Sequence, residues 1–405
     1  MKLRKLSQLA LVSMIGLIVA TLLTACQLVT IDYVFVACSA GTSPGSAGMI
    51  YTYNVDSQSG ALRQPPRPLV PSGGTNPVSL AVTTDYLNLY VANQGNNSIV
   101  HFYIAVSGAL TKKDSITTST PPVAVAVNSN NNLLYVISGT TSATLTEYSL
   151  GKDGSIGSIV AQTSLVLPGF TSDTILPAAI SVEPNNKFVY VSAYDESAYN
   201  PGGPVSSTAN PGWVFGYAVG SNGSLTPTPN SPYQAGVRPS GMVPDPTNRF
   251  LYITDYASND LIGYQIQTNG VLTFLVNGPF KTGNEPSGVT IDPRGIYLYV
   301  SNELDSSVTG YIIALPTGTP SALVNSNASA IYATDTQPVA ITVDPALGRF
   351  VFTANHLGDS VSGFFLNPDS GVLTQSLQTP YPTGALPTAL VSIPHGNHSI
   401  QAVFP

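Results

Sequence analysis

A pattern of short apolar segments, each introduced by a proline and separated by turn residues, recurs seven times along this chain of 405 residues. The clearest copy reads as four strands that begin near Pro338, Arg349, Asp359 and Gly371. Such a copy cannot bury both of its faces alone, so neighbouring copies must stack. Four strands in each period are typical of a β-propeller blade. The introducing prolines are Pro77, Pro122, Pro177, Pro239, Pro286, Pro338 and Pro387.

The two ends of the chain carry incomplete copies that complement each other. The segment from Tyr33 to Val36 reads as a second strand with no first strand before it, and Pro387 to Ile393 reads as a first strand. We therefore predict an all-β fold over residues 31–405. It is a seven-bladed β-propeller of four-stranded antiparallel blades, in which strands from both termini close the first blade.

The N-terminal segment has the features of an export signal. Lys2, Arg4 and Lys5 precede an apolar stretch that is too short for a convincing membrane span. The stretch ends at Ala25-Cys26, which resembles a bacterial lipobox. We predict a lipoprotein signal peptide over 1–25, lipidation of Cys26 and a linker over 26–30. The expected location is the periplasm or cell surface, with the lipid as membrane anchor. The alternative is an ordinary signal peptide with an incidental cysteine.

Charge excludes one class of partner. The formal net charge is −7, from 14 basic and 21 acidic residues. Removing residues 1–25 removes three basic and no acidic residues, which gives 11 − 21 = −10. A chain this acidic lacks the basic surface of a nucleic-acid-binding protein. Once Cys26 is lipidated, Cys38 is left unpaired, so no disulfide framework is expected. We also expect a monomer.

The repeat resembles a known family. Its Tyr-Val-Ser-Asn and Ser-Val-Thr-Gly-Tyr steps, at 299–302 and 307–311, are similar to those of the bacterial 6-phosphogluconolactonase-type lactonases and of YVTN-type propellers. The segment from Asn302 to Val308 resembles the one that carries a proposed active-site glutamate. The resemblance implies that Glu303 is the matching residue. The family's Arg-His pair is replaced here by Pro286-Ser287, and Arg238 in a neighbouring copy is a candidate replacement cation.

Candidate site residues fall on the face where the loops after the second and fourth strands emerge. Lactone hydrolysis needs a base and a donor that stabilises the oxyanion. Glu303 or His356 is the candidate base, and Arg238 is the candidate donor. The remaining candidates are ligand-binding residues: Asp195, Glu196, Tyr199, Trp213, Asp255 and Tyr256. Two structural alternatives stand beside these roles. Trp213 would pack between blades, and polar residues at equivalent turns would serve local hydrogen bonds.

We predict an exported, lactonase-like propeller that binds a small carbohydrate or lactone ligand. Lactone hydrolysis is the activity that the resemblance implies, and the sequence leaves open whether this chain retains it. Clustered cations, which a phosphate would need, are scarce on this face, so true 6-phosphogluconolactonase activity is not expected. No cofactor is predicted, and a calcium ion held by the face's carboxylates and amides is the alternative. The rival function is a non-catalytic interaction module for protein or polysaccharide.

Overall fold

The computed structural model describes residues 29–39, 47–167, 174–196, 211–324 and 331–395. The strands are numbered in chain order and grouped by blade. The first two blades contain β1 (Thr30–Cys38), β2 (Met49–Asp56), β3 (Leu62–Arg63) and β4 (Val70–Pro71), then β5 (Pro77–Val82), β6 (Asn88–Asn93), β7 (Ser98–Ile104) and β8 (Leu110–Thr117). A single 3₁₀ turn, Gln94–Asn96, follows β6.

The third and fourth blades contain β9 (Pro122–Val127), β10 (Leu133–Ser138), β11 (Thr144–Leu150) and β12 (Ile156–Ser164), then β13 (Ile175–Val182), β14 (Phe188–Asp195), β15 (Gly212–Val219), β16 (Leu225–Pro227) and β17 (Tyr233–Gln234). The fifth contains β18 (Pro239–Pro244), β19 (Phe250–Asp255), β20 (Asp260–Ile266), β21 (Leu272–Phe274) and β22 (Phe280–Lys281).

The sixth and seventh blades contain β23 (Pro286–Ile291), β24 (Tyr297–Asn302), β25 (Ser307–Ala314), β26 (Thr319–Ala322) and β27 (Ile331–Ala333), then β28 (Pro338–Val343), β29 (Phe350–Asn355), β30 (Ser360–Leu366), β31 (Leu373–Gln375) and β32 (Tyr381–Pro382). The last strand, β33 (Pro387–Pro394), returns to the first blade.

The predicted fold and its closure are confirmed. Each blade is an antiparallel sheet, and in five of the blades the two pieces of the outermost strand pair with the same neighbouring strand. In the first blade β33 is the innermost strand and pairs with β1, in a register that sets Val391 opposite Phe35. The innermost strands β33, β5, β9, β13, β18, β23 and β28 contact one another in a closed ring. The ring is therefore joined by hydrogen bonds between strands from opposite ends of the chain.

The core consists of layers between neighbouring blades, because each sheet buries its two faces against the sheets beside it. Phe350 and Phe352 of the seventh blade pack with Val34 and Val36 of the first. Second-strand tyrosines also bond across these layers. The buried hydroxyl of Tyr299 donates to the carbonyl of Gly371 at 2.6 Å, and Tyr90, Tyr190 and Tyr252 make the same bond to Gly154, Gly270 and Gly318.

Asp-Pro turns close the face opposite the candidate site. Asp292 accepts the backbone N–H groups of Ile296 and Tyr297 at 2.7 and 2.8 Å. Asp245 bonds Arg249 and Phe250 in the same way. In these turns the aspartate carboxylate therefore bonds the backbone amides that follow it in sequence.

The fourth blade departs from the prediction at its introducing proline. Pro177 is the third residue of β13 and lies opposite Ala193, so this hairpin is two residue pairs longer than the others. The extension ends at the pair Ile175–Asp195. Within the described residues, no helix reaches the length and apolar character needed to cross a bilayer.

Candidate functional site

Two positions in each blade face the loop-rich end of the ring. The pre-proline position is the residue directly before the introducing proline. The introducing proline pairs with a residue of the second strand, and the post-strand position is the residue directly after that paired residue. In the sixth blade these are Glu285 and Glu303, and the N–H of Glu303 donates to the carbonyl of Glu285 at 2.9 Å. The fifth and seventh blades repeat this bond, at 2.8 Å from Tyr256 to Arg238 and at 2.7 Å from His356 to Gln337.

Polar side chains at these positions form an arc over the fourth to seventh blades. The side chains of Tyr194, Tyr256, Glu303 and His356 each contact the pre-proline region of the next blade, and Tyr256 also contacts Arg238 within its own blade. We call this set of residues the polar arc: Tyr194, Arg238, Tyr256, Glu285, Glu303, Gln337 and His356. The first three blades carry uncharged residues at both positions: Ser39 with Leu386, Gln94 with Asn76, and Gly139 with Pro121.

Arg238 lies between two aromatic rings at one end of the arc. Its guanidinium carbon is 4.7 Å from the ring centre of Tyr256 and 5.6 Å from that of Tyr194. Contacts of this kind between a guanidinium and an aromatic ring hold the cation in place. Asp255 fixes the backbone beneath, because its carboxylate accepts the N–H groups of Val237 and Arg238 at 2.7 and 2.9 Å.

Glu285 occupies the centre of the arc. Its carboxylate accepts a 2.8 Å hydrogen bond from the Tyr256 hydroxyl. Its backbone has a left-handed φ of 54°, which is uncommon for a residue with a side chain. Burial raises the pKa of Tyr256, and the hydrogen bond to Glu285 and the charges of Glu303 and Glu285 raise it further, whereas Arg238 lowers it. The tyrosine therefore remains a proton donor at neutral pH.

Glu303 is half-buried, and its Oε1 accepts a 2.8 Å bond from the side-chain amide of Gln337. Burial raises the pKa of Glu303 above the ordinary glutamate value, and the negative charge of Glu285 adds to this effect. His356, the Gln337 bond and Arg238 act in the opposite direction. His356 and Arg238 thus both act electrostatically on Glu303.

His356 has a defined tautomer. Its Nδ1 lies 2.9 Å from the carbonyl oxygen of Pro387. A carbonyl oxygen only accepts, so Nδ1 carries the proton and Nε2 is the basic nitrogen of the neutral ring.

The other predicted residues are more dispersed. Asp255 is buried, and its carboxylate is engaged by backbone amides. Asp195 is the last residue of the extended hairpin of the fourth blade and is buried, and the next residue, Glu196, is exposed. Trp213 is the second residue of β15 and packs against the apolar layer between the third and fourth blades. Cys26 and Tyr199 lie outside the described residues.

Polar residues that end the second strands serve structure. Asn302 is fully buried, donates to Ser307 and Thr309 at 3.1 and 2.8 Å, and accepts from the Gly283 amide. Asn355 bonds Ser360 and Ser362 in the same way. Among the described residues, no three or more His, Cys, Asp or Glu side chains gather in a way that could hold a metal ion.

Three members of the arc, Tyr194, Glu285 and Gln337, received no role from the sequence. Glu285 is simply one more polar residue in a loop, and Gln337 is uncharged. The signal in the sequence was that Glu285 and Gln337 directly precede Pro286 and Pro338. In the ring, this position places each of them next to the post-strand residues of its own blade and of the preceding blade. Using that signal requires the ring geometry, because the partners Tyr256 and Glu303 lie 29 and 34 residues away in sequence.

The family model described as "Lactonase, 7-bladed beta-propeller" matches residues 32–165 and 106–398. The chain belongs to this lactonase family. No curated protein matches the sequence significantly.

Solved structures show the same fold at low identity. A periplasmic gluconolactonase of Pseudomonas aeruginosa is 18% identical with a TM-score of 0.73, covering 91% of this chain and 100% of its own. A putative 6-phosphogluconolactonase of Bacteroides fragilis is 17% identical with a TM-score of 0.69, covering 90% and 98%. One from Bacteroides uniformis is 16% identical with a TM-score of 0.72, covering 90% and 100%.

Proposed function

We propose that this lactonase-family propeller binds a small carbohydrate lactone at the polar arc and hydrolyses it. The observation that supports this most is the setting of Glu303. A half-buried carboxyl group with a raised pKa stands beside a histidine and an arginine. A carboxyl group whose pKa is raised in this way is suited to proton transfer.

The proposed reaction follows the chemistry of the three groups. Glu303, when ionised, takes a proton from a water molecule as the water attacks the lactone carbonyl. The guanidinium of Arg238 stabilises the oxyanion that develops. The carbon–oxygen bond of the ring then breaks, and the proton is passed to the ring oxygen to give the hydroxy acid. Nε2 of His356 is the second candidate base.

A neutral lactone fits the arc better than a phosphorylated one. Glu285 and Glu303 lie close to Arg238, so a dianionic phosphate would meet two carboxyl groups for one guanidinium. Lys281 is held elsewhere, since its Nζ is 2.8 Å from Asp260. Tyr194 and Tyr256 add aromatic surface of the kind that packs against a sugar ring.

Export and lipid anchoring are part of the same proposal. The segment before Cys26 supports both, and a relative of the same fold is described as periplasmic. Cys26→Ala should abolish incorporation of labelled palmitate and release the protein from the membrane fraction. Incorporation that persists in this variant would contradict lipidation at Cys26.

The decisive experiment is a hydrolysis assay. Purified protein is offered gluconolactone and acyl-homoserine lactones, and acid release is followed. We expect turnover of the sugar lactone, and Glu303→Gln should lower kcat/KM by ~100-fold or more, as loss of a general base does. Asp369→Asn, which removes a carboxylate from an exposed turn of the opposite face, is the matched control. Sugar binding without turnover would favour the non-catalytic module.

A further inference from the structure

We propose that Glu285 is a positioning residue that sets the protonation of Glu303 and thereby the pH range in which the site works. This role rests on the proposed hydrolysis for its catalytic meaning. Glu285 directly precedes the Pro286-Ser287 pair, and nothing in the reaction itself requires a second carboxylate there. Its place in the polar arc gives the reason to assign it a role.

The first argument is the fixed place of the Glu285 side chain. Its carboxylate accepts the Tyr256 hydroxyl at 2.8 Å, its N–H donates to Oδ1 of Asn259 at 2.8 Å, and its carbonyl accepts the N–H of Glu303 at 2.9 Å. Two of these three bonds run to the fifth blade and one runs within the sixth. The main-chain bonds place Glu285 next to Glu303, and the Tyr256 bond holds its carboxylate in place.

The second argument is the direction of each charge around Glu303. Glu285 is the one neighbour that disfavours the ionised form of Glu303. His356, the amide of Gln337 and Arg238 favour it. Tyr256, whose hydroxyl bonds Glu285, stays neutral because its own pKa is raised.

The third argument is the hydrogen bond that the Glu285 carboxylate accepts. The Tyr256 hydroxyl donates to it at 2.8 Å, and such a donor stabilises negative charge on the acceptor. Negative charge on Glu285 disfavours the ionised form of Glu303 and so raises the pKa of Glu303. Glu285 thereby influences the pH at which Glu303 becomes a base.

The test measures Glu303 directly. The chain contains five glutamates, so protein labelled with ¹³C at the glutamate δ-carbon gives a resolvable NMR titration. Glu303→Gln assigns the signal. In Glu285→Gln we expect the Glu303 midpoint to fall by about one pH unit, the size of effect that a neighbouring carboxylate exerts. Asp369→Asn should leave it unchanged.

Tyr256→Phe is the second variant, and it keeps the proposal testable if Glu285→Gln fails to fold. This variant keeps the Glu285 carboxylate but removes the hydrogen bond from the Tyr256 hydroxyl. We therefore expect a smaller fall in the Glu303 titration midpoint than in Glu285→Gln. An unchanged midpoint in the folded variants would overturn the role of Glu285.

Activity provides the independent readout. The rise of kcat/KM with pH should move to lower pH in Glu285→Gln by the same amount as the NMR midpoint. If no lactone is hydrolysed, the proposed function fails, while the titration still decides the role of Glu285. If the NMR midpoint of Glu303 shifts while the rise of kcat/KM with pH does not, the link between Glu285 and catalysis is overturned.

Discussion

Asp32 is buried at the seam between the first and seventh blades. It is fully inaccessible to solvent, and neither carboxyl oxygen has a hydrogen-bond partner in the described part of the chain. It lies opposite Pro394 of β33, on the strand pair that closes the ring. Burial, reinforced by the charge of Asp344, raises the pKa of Asp32 to about 9.

Because this pKa is higher in the folded state, the folded protein holds a proton that the unfolded chain releases at neutral pH. The contribution of Asp32 to stability is therefore greatest below the unfolded pKa of about 4 and falls as pH rises towards 9. In urea unfolding at pH 5, 6.5 and 8, Asp32→Asn should flatten this decline and be more stable than wild type by about 2 kcal/mol at pH 8. Parallel profiles for the two proteins would contradict the assignment.

A second residue-scale prediction concerns the tyrosine bonds between blades. Tyr299→Phe removes the donor from the buried carbonyl of Gly371 and should cost about 1–2 kcal/mol in the free energy of unfolding. Tyr103→Phe is the control, because that side chain is partly exposed and lies outside the bonded set. Equal midpoints in urea for both variants would show that water replaces the lost bond.

Among the elements, the outermost strands differ in how they protect their open edges. Five blades divide the outermost strand into two short pieces, whereas β8 and β12 are continuous. β8 carries Lys112, Lys113 and Asp114, charges that discourage pairing with another chain. β12 carries no charge and exposes Ile159 and Val160.

We expect β12 to be the more association-prone of these two edges. Ile159→Lys should lower light scattering during slow heating or concentration, because it places a charge on the exposed edge. Lys113→Ile in β8 is the reciprocal variant and should increase scattering. Equal scattering by wild type and Ile159→Lys would indicate that the edge of β12 is covered or not involved.

At the scale of the whole molecule, the sequence predicted the blade count and the closure well. Both depend on a local signal, a proline followed by alternating apolar residues, that repeats. The divided outer strands were not foreseen, because pieces such as Tyr233–Gln234 are too short to show a period. The site was only partly predictable. Glu303, His356 and Arg238 stood out as breaks in the repeat, but their neighbours Glu285 and Gln337 depend on which blades become adjacent.

Closure yields a prediction for the complete ring. A chain ending before Pro387 lacks β33, which leaves one edge of β1 unpaired and opens the layer around Phe35. We expect this truncation to lose cooperative thermal unfolding, measured by circular dichroism. A chain ending at His395 keeps every described strand and is the control. Retention of a wild-type transition by the shorter chain would contradict the role of β33.

The bond that joins each pre-proline residue to its post-strand residue uses main-chain atoms only. Substitutions at these positions can therefore change the side chains without breaking the main-chain hydrogen bond. Over evolutionary time a lineage can acquire, relocate or abandon chemistry around the rim while inheriting the same ring. Relatives that share this outline need not share a substrate.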